Sequence, residues 1–271
     1  MPELPEVETT RRGISPRLLG NSVIKVVVRE RRLRWPVPAA LEAGLTGQRI
    51  MAVDRRGKYL LLRTARGTAI LHLGMSGSLR ILRDYVKPLR HDHYDIHLDT
   101  GDILRFNDPR RFGCLLWVVE DPANHPLLAG LGPEPLGPDF TGAYLHAHSR
   151  RRRVAIKPYL MTASVVVGVG NIYANEALFR AGVHPKRAAG RIAATRMDRI
   201  VAEIKGVLTE SIKAGGTTLR DFYGSDGRPG YFRHDLRVYG RDGLPCFNCR
   251  TPIRQIVIGQ RSTFYCANCQ H

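Results

Sequence analysis

Two short cysteine pairs constrain this chain more than any other feature. CFNC (246–249) and CANC (266–269) stand sixteen residues apart. Each Cys-x-x-Cys pair makes a turn that presents two sulfurs. Two such turns at this separation match a four-thiolate zinc site built from Cys246, Cys249, Cys266 and Cys269. A pair of disulfides is the alternative, and a reducing compartment disfavours it. The intervening TPIRQIVIGQRSTFY (251–265) suits a β-hairpin with Gly259 and Gln260 at its tip. A tail of about 35 residues is too small for its own core, so the metal would supply its folding energy. Four thiolates leave no open coordination position, which makes the expected role structural. Arg261 falls at or just past the hairpin tip. A rigid hairpin would hold its planar guanidinium, a good donor to phosphate, although by itself it is one more solvated arginine. Cys114, in an apolar strand, reads as a small core residue.

Charge narrows the class of partner. Lys+Arg is 42 against Asp+Glu 24, a net of +18, and the pI is near 10.3. Self-repulsion works against compaction, so a polyanionic partner is expected, nucleic acid first. A ribosomal or membrane-surface protein is the alternative. The basic residues are spread along the chain, which favours a folded basic groove over a disordered arm. No run of about 18 apolar residues exists, so no membrane span is expected. The N-terminus is acidic and lacks the apolar stretch of a signal peptide. A cytoplasmic location is therefore the default expectation, and a monomer the default oligomeric state.

The first half is rich in strand patterns: VIKVVV (23–28), RIMAVD (49–54), KYLLLR (58–63), TAILHL (68–73) and CLLWVV (114–119). HYDIHLD (93–99) alternates strictly, with Tyr94, Ile96 and Leu98 on one face and His93, Asp95, His97 and Asp99 on the other. This predicts a half-buried strand. With a helix over about 5–19, the first domain is expected to be a β-sandwich or barrel. GLGPEPLGPDF (130–140) reads as a linker. Segments 141–148, 171–181 and 196–214 then read as helices. In the last of these Ile200, Ile204, Val207, Leu208 and Ile212 share one face.

Two short motifs stay open on residues alone. MPELPEVE can be a helix start, since proline and acidic residues suit a helix's first turn. It can also be chemical: removal of Met1 would leave Pro2 with a free secondary amine, able to form an iminium with an aldehyde-level carbon. VVVGVGNIYANEALF (165–179) joins an apolar run to a helix through Gly168, Gly170 and Asn171. It is either an anion site at a helix N-terminus or a tight turn capped by Asn171.

Taken together, the chain resembles the formamidopyrimidine-DNA glycosylase family, within the wider group that includes endonuclease VIII. The matching stretches run end to end. They are PELPEVE (2–8), RRGKYLLL (55–62), HLGMSGSLR (72–80), HDHYD (91–95), DPRRFG (108–113), LGPEPL (131–136), IKP (156–158), GVGNIYANEALF (168–179), GGTTLRDF (215–222), SDGRPGYF (225–232) and the cysteine tail. PELPEVE distinguishes it from endonuclease VIII, whose opening resembles PEGPE. RRRR (150–153) stands where relatives carry a lysine-rich run, so a DNA contact is carried to Arg152 by charge rather than identity.

The resemblance implies an α+β multidomain fold. Residues 1–133 would form a catalytic β-sandwich with its N-terminal helix, and 134–152 a linker region. Residues 153–236 would form a helical domain with a helix–two-turns–helix motif, and 237–271 a β-hairpin zinc finger holding one structural Zn²⁺. It implies a base-excision repair enzyme acting on double-stranded DNA that contains oxidised purines or abasic sites. Pro2 would be the nucleophile and Glu3 the acid–base residue. Lys58 would act in β-elimination and Arg261 in δ-elimination, where an arginine serves better by holding phosphate than by giving up a proton. A glycosylase must extrude its target base. The resemblance puts Met75, Arg110 and Phe112 in the resulting gap, with Phe112 as an apolar wedge and Arg110 on the orphaned cytosine. Without the resemblance, Met75 and Phe112 read as core and Arg110–Arg111 as a solvated pair. His91, Arg152, Lys157 and Asn171 are implied DNA-backbone contacts, the loop 217–232 a cover for the flipped base, and Glu6 and Glu176 residues that orient the site. Two other readings remain: a glycosylase preferring oxidised pyrimidines, and a non-catalytic zinc-ribbon DNA binder.

A basic groove that neutralises several phosphates predicts DNA affinity falling steeply and log-linearly with salt. Fluorescence anisotropy across a salt series checks this, and a flat profile would remove the groove from consideration.

Overall fold

The computed structural model describes residues 2–216 and 236–271. The whole of the expected cover loop, 217–232, lies outside the described residues. The chain forms two compact units: the first runs to Ala129 and takes in the segment beginning at Ala214, and the second comprises Gly130–Lys213 and the C-terminal tail.

In the first unit, helix α1 spans Leu4–Leu18. Glu3 is its N-cap, and Glu6 Oε2 accepts the Glu3 N–H at 2.8 Å, the back-reaching half of a capping box. Pro5 occupies the first turn, where a missing N–H costs nothing. Pro2 stands ahead of the cap, so helix initiation accounts for Pro5 and leaves Pro2 unexplained.

The strands are β1 (Val23–Val28), β2 (Ala52–Arg56), β3 (Tyr59–Arg63), β4 (Thr68–His72), β5 (Ser78–Leu82), β6 (Asp92–Leu98), β7 (Ile103–Asn107) and β8 (Cys114–Val118). They form two antiparallel four-stranded sheets, ordered β1-β6-β7-β5 and β2-β3-β4-β8. One buried cluster draws on both sheets: Val26, Tyr94, Ile96 and Phe106 from the first, Leu60, Leu62, Leu71 and Leu115 from the second. The unit is thus a sandwich. Helix α1 packs on β2 and β5, and helix α2 (Ala40–Leu45) on β1 and β8, so each helix lies against an outer strand of both sheets. Covering edge strands in this way blocks pairing with other chains. A short helix α3 (Pro126–Ala129) ends the N-terminal stretch of the unit.

Two expectations need correction. The strand expected at 49–54 begins at Ala52, because Arg49 bridges Ser22 and the Ile50 N–H donates to the Asn21 carbonyl. The β6 strand is not half-buried. Asp92, His93 and Asp95 are as deeply buried as Tyr94 and Ile96. The buried polar groups are tolerated because they are paired, His93 with the Asp108 carbonyl at 2.7 Å. Asp95 takes two bonds from the Arg105 guanidinium, both at 2.8 Å, and two from Arg29 at 2.8 and 2.9 Å. Asp92 takes Arg80, Asn107 and the Leu89 N–H. Alternation alone could not reveal this, since the partners lie on other strands.

The second unit holds α4 (Gly142–Ser149), α5 (Ile156–Leu160), α6 (Asn171–Arg180) and α7 (Ala194–Lys213). Its hairpin comprises β9 (Arg254–Ile258) and β10 (Arg261–Tyr265). Ile200, Ile204, Val207, Leu208 and Ile212 are all buried, and α7 packs on α4 and α6. The hairpin turns through Gly259 and Gln260, both at positive φ (55° and 59°), the geometry of a type I′ turn. No helix among the described residues is long and apolar enough to cross a membrane.

Burial works to raise the Asp95 pKa, but Arg105 and Arg29 outweigh it and hold the carboxyl below its ordinary 3.8. Its stabilising contribution is therefore present above that value and lost as pH falls through the lower, folded one. Asp95→Ala strands two guanidiniums and should cost about 3–5 kcal/mol at neutral pH. Urea midpoints at pH 7 and pH 3 test this: the gap between wild type and variant should narrow in acid.

Candidate functional site

In the first unit, Pro2 and Glu3 are buried at the head of α1, with Glu3 4% exposed. Lys58 sits with Gly57 in the two-residue turn between β2 and β3, where Gly57 takes a positive φ. A chain of bonds ties the helix to this turn. Glu8 on α1 accepts Arg55 Nε at 3.0 Å, and Arg55 Nη1 donates to the Gly57 carbonyl at 2.9 Å. Burial works to raise the Glu8 pKa, but Arg11, Arg12 and Arg55 prevail and hold it at about 2. Glu8 and Arg55 lie within motifs visible in the sequence, yet nothing in the sequence shows that they meet.

The turns carrying Met75 and Arg110–Phe112 are joined through Asp108, which is fully buried. Its Oδ1 accepts the Ser76 hydroxyl at 2.8 Å and the Arg110 N–H at 3.3 Å, and its Oδ2 accepts the Gly113 N–H at 2.8 Å. Its carbonyl accepts His93 Nε2 at 2.7 Å and the Arg111 N–H at 3.1 Å. Bonds to a charged group contribute about 1.5–3 kcal/mol each. Gly74 completes the joint. At φ 66° its backbone lies so close to Phe112 and Gly113 that a Cβ would strike theirs. Arg111 takes a left-handed φ of 56°, and Arg110 and Phe112 project outward, the guanidinium 4.8 Å from the phenyl centroid. Phe112 is 40% exposed.

His72 supports the same joint. Its Nδ1 accepts the Gly74 N–H at 2.9 Å, which requires the neutral ring. Burial, then the charges of Lys58 and Arg34, push its pKa down to about 4. His91 is half-buried and lines a polar cavity of about 550 Å³ with Arg29, Arg90 and Arg111.

In the second unit the helices grip the hairpin behind Arg261, which is exposed. Lys157 is fully buried, and its ammonium donates to the Ser262 carbonyl at 2.8 Å and the Thr263 hydroxyl at 2.7 Å. This places it beneath the hairpin rather than at the surface. Asn171 Nδ2 donates to the same Ser262 carbonyl at 3.1 Å, and Asn175 Oδ1 accepts the Phe264 N–H at 2.8 Å. The cap of α6 is Gly170, with Asn171 in the first turn, so the reading of Asn171 as a cap is corrected. Glu176 accepts the N–H groups of Arg237, Val238 and Tyr239 at 2.8–2.9 Å, fixing the start of the tail. Arg152 is exposed just beyond α4.

The four cysteine sulfurs of the tail lie within 4.8 Å of one another. Cys246–Cys269 is 3.9 Å and Cys249–Cys266 3.4 Å. Zinc–sulfur bonds of about 2.3 Å arranged tetrahedrally require edges of about 3.8 Å, so the set fits one zinc ion. Among the described residues it is the only such group able to close on a metal, and the cysteines form no disulfide. A small apolar cluster of Val238, Ile253 and Phe264 packs around it and borrows Phe179 from α6.

A two-sheet sandwich, a helical unit and a four-cysteine hairpin are the parts of a zinc-finger DNA-repair glycosylase, and three family models match them in order. They are the formamidopyrimidine-DNA glycosylase N-terminal domain (residues 1–115), the H2TH domain of the same enzyme (131–223), and the zinc finger found in FPG and IleRS (243–271). Formamidopyrimidine-DNA glycosylases of Nitrosococcus oceani and Methylococcus capsulatus are 57% and 58% identical, each over the full length of both chains. The chain belongs to the formamidopyrimidine-DNA glycosylase family. Among solved structures, the MutM (Fpg) protein of Thermus thermophilus is 39% identical, with TM-score 0.89 over 99% of this chain and 98% of that one. Lactococcus lactis Fpg bound to DNA containing Fapy-dG is a point mutant 32% identical to this chain, with TM-score 0.92 over 99% of each. The wild-type L. lactis protein, also 32% identical with TM-score 0.90 over 99% of each chain, was solved with DNA containing an oxidised pyrimidine.

Because the zinc finger's own apolar cluster is small, removing the metal should unfold the tail. A colorimetric assay on denatured protein should return one zinc per chain. Chelation should weaken DNA binding at least tenfold by anisotropy, and unchanged binding would show that the tail's fold is independent of zinc.

Proposed function

We propose that this chain is a bifunctional glycosylase and lyase that removes oxidised purines, 8-oxoguanine and formamidopyrimidines, from duplex DNA and then cuts the strand. The Pro2 amine, freed of Met1, attacks the sugar's anomeric carbon. The glycosidic bond breaks and the damaged base leaves. Glu3 delivers a proton to the ring oxygen as the sugar opens, leaving a covalent iminium. An α-amino group titrates near pH 8, so a useful fraction is neutral without a dedicated base, whereas a lysine near 10.4 would need a large shift. The iminium acidifies the neighbouring carbon, whose proton loss expels the 3′ phosphate, with Lys58 assisting. A second elimination expels the 5′ phosphate, and Arg261 holds phosphate there. Met75, Arg110 and Phe112 fill the gap left by the flipped nucleotide, while His91, Arg152 and Asn171 meet the backbone. Lys157 acts through the hairpin that carries Arg261. The setting is the cytoplasm, at the nucleoid.

The observation that carries this reading is the placement of Pro2. It precedes the cap, the helix does not need it, and the buried Glu3 is its immediate neighbour. Family membership supports the same reading. An oxidised-pyrimidine preference is the second reading, drawn from the L. lactis complex.

Borohydride reduction on duplex DNA holding 8-oxoguanine opposite cytosine should trap an adduct that mass spectrometry maps to Pro2. Pro2→Gly and Glu3→Gln should lower base excision by at least a hundredfold while the lesion duplex still binds. Absence of any adduct in protein lacking Met1 would reduce the chain to a binding module. Faster excision of thymine glycol than of 8-oxoguanine would favour the second reading.

A further inference from the structure

The helical unit carries a concentration of positive charge of which the proposed function uses only Arg152. Arg150, Arg151, Arg152 and Arg153 follow α4, while Lys186, Arg187 and Arg191 lie between α6 and α7. Backbone hydrogen bonds bring the two runs together. The Gly190 N–H donates to the Arg152 carbonyl at 3.0 Å, the Ala189 N–H to Val154 at 2.9 Å, and the Ile156 N–H to Arg187 at 2.8 Å. Ala155 and Ala188 form an isolated bridge between them. Arg150 Nη1 also reaches the Gly190 carbonyl at 3.2 Å. All seven basic side chains are exposed.

Among the described residues no carboxylate pairs with this ridge, and none of the seven makes a salt bridge. Between 142 and 197 the sequence holds one acidic residue, Glu176, which is buried and committed to the tail. Asp198 follows, but it lies against Gly142 at the opposite end of α4. Like charges held together without partners repel, and an external polyanion relieves that repulsion. Six of the seven are arginines, whose planar fork suits phosphate.

We infer that this ridge is a phosphate track that extends the contact along duplex DNA beyond the lesion. The inference rests on the DNA-binding reading above, which assigns only Arg152 of the seven. The remaining six lengthen the footprint and leave the chemistry untouched.

Two duplexes with the same central lesion, about 12 and about 30 base pairs long, separate a flank track from a lesion contact. The triple variant Arg151→Gln, Arg187→Gln and Arg191→Gln should bind the long duplex at least tenfold more weakly. Its slope of log affinity against log salt should fall by roughly 2–3, near 0.9 per lost phosphate contact. On the short duplex its affinity and single-turnover excision should match wild type, and lysines at the same positions should restore the slope. Equal slopes for variant and wild type on the long duplex, or equal losses on both duplexes, would overturn the track. Wild type that fails to bind either lesion duplex would overturn the DNA-binding reading itself, which is a distinct result.

Discussion

The buried Asp108 carboxylate is the interaction on which the outward block of Met75, Arg110 and Phe112 depends. One side chain takes hydrogen bonds from Ser76, Arg110 and Gly113, and its carbonyl takes two more from His93 and Arg111. The turns bearing Met75 and Arg110–Phe112 therefore form one block. An exposed phenylalanine on an independent loop would fold back on its own surface. Fixed on this block, Phe112 stays outward and presents its ring with Arg110 stacked on it. The wedge role proposed for Phe112 needs such rigidity, because about a few kcal/mol must be transmitted without the loop giving way.

The second unit applies the same principle with other chemistry. Its hairpin cannot hold itself, so zinc closes one end and buried polar groups grip the other. Lys157 and Asn171 share the Ser262 carbonyl, Asn175 holds Phe264, and Glu176 fixes residues 237–239. Three side chains from two helices thus serve one short strand, and Glu176 anchors the segment that leads to the hairpin. Arg261 gains a fixed origin without making any of these contacts through its own side chain.

Much of the fold was legible beforehand because local patterns carried it. VIKVVV became β1 residue for residue, and the apolar face of 196–214 became the buried face of α7. The hairpin turned at Gly259 and Gln260 as its sequence indicated. Legibility failed where a group's state depends on a partner elsewhere in the chain. Alternation marked His93 and Asp95 as solvent-facing, yet the Asp108 carbonyl pairs with His93, and Arg105 and Arg29 pair with Asp95, so both are buried. The short strands β5 and β7 carried too little pattern to stand out. Glu8, Arg55, His72 and Asp108 gave no signal of their own, because each acts by a contact that only folding creates.

By itself the sequence determined the zinc site, the basic character and the order of the elements. Cysteine spacing specifies a thiolate turn locally, and charge is a sum that no fold can change. The tertiary structure alone decided which charges are buried and paired, that Lys157 faces the hairpin, and that Arg150–Arg153 lie beside Lys186–Arg191. The physical reason is that a buried charge is stable only opposite its partner, and partners far apart in sequence meet only when the chain has closed.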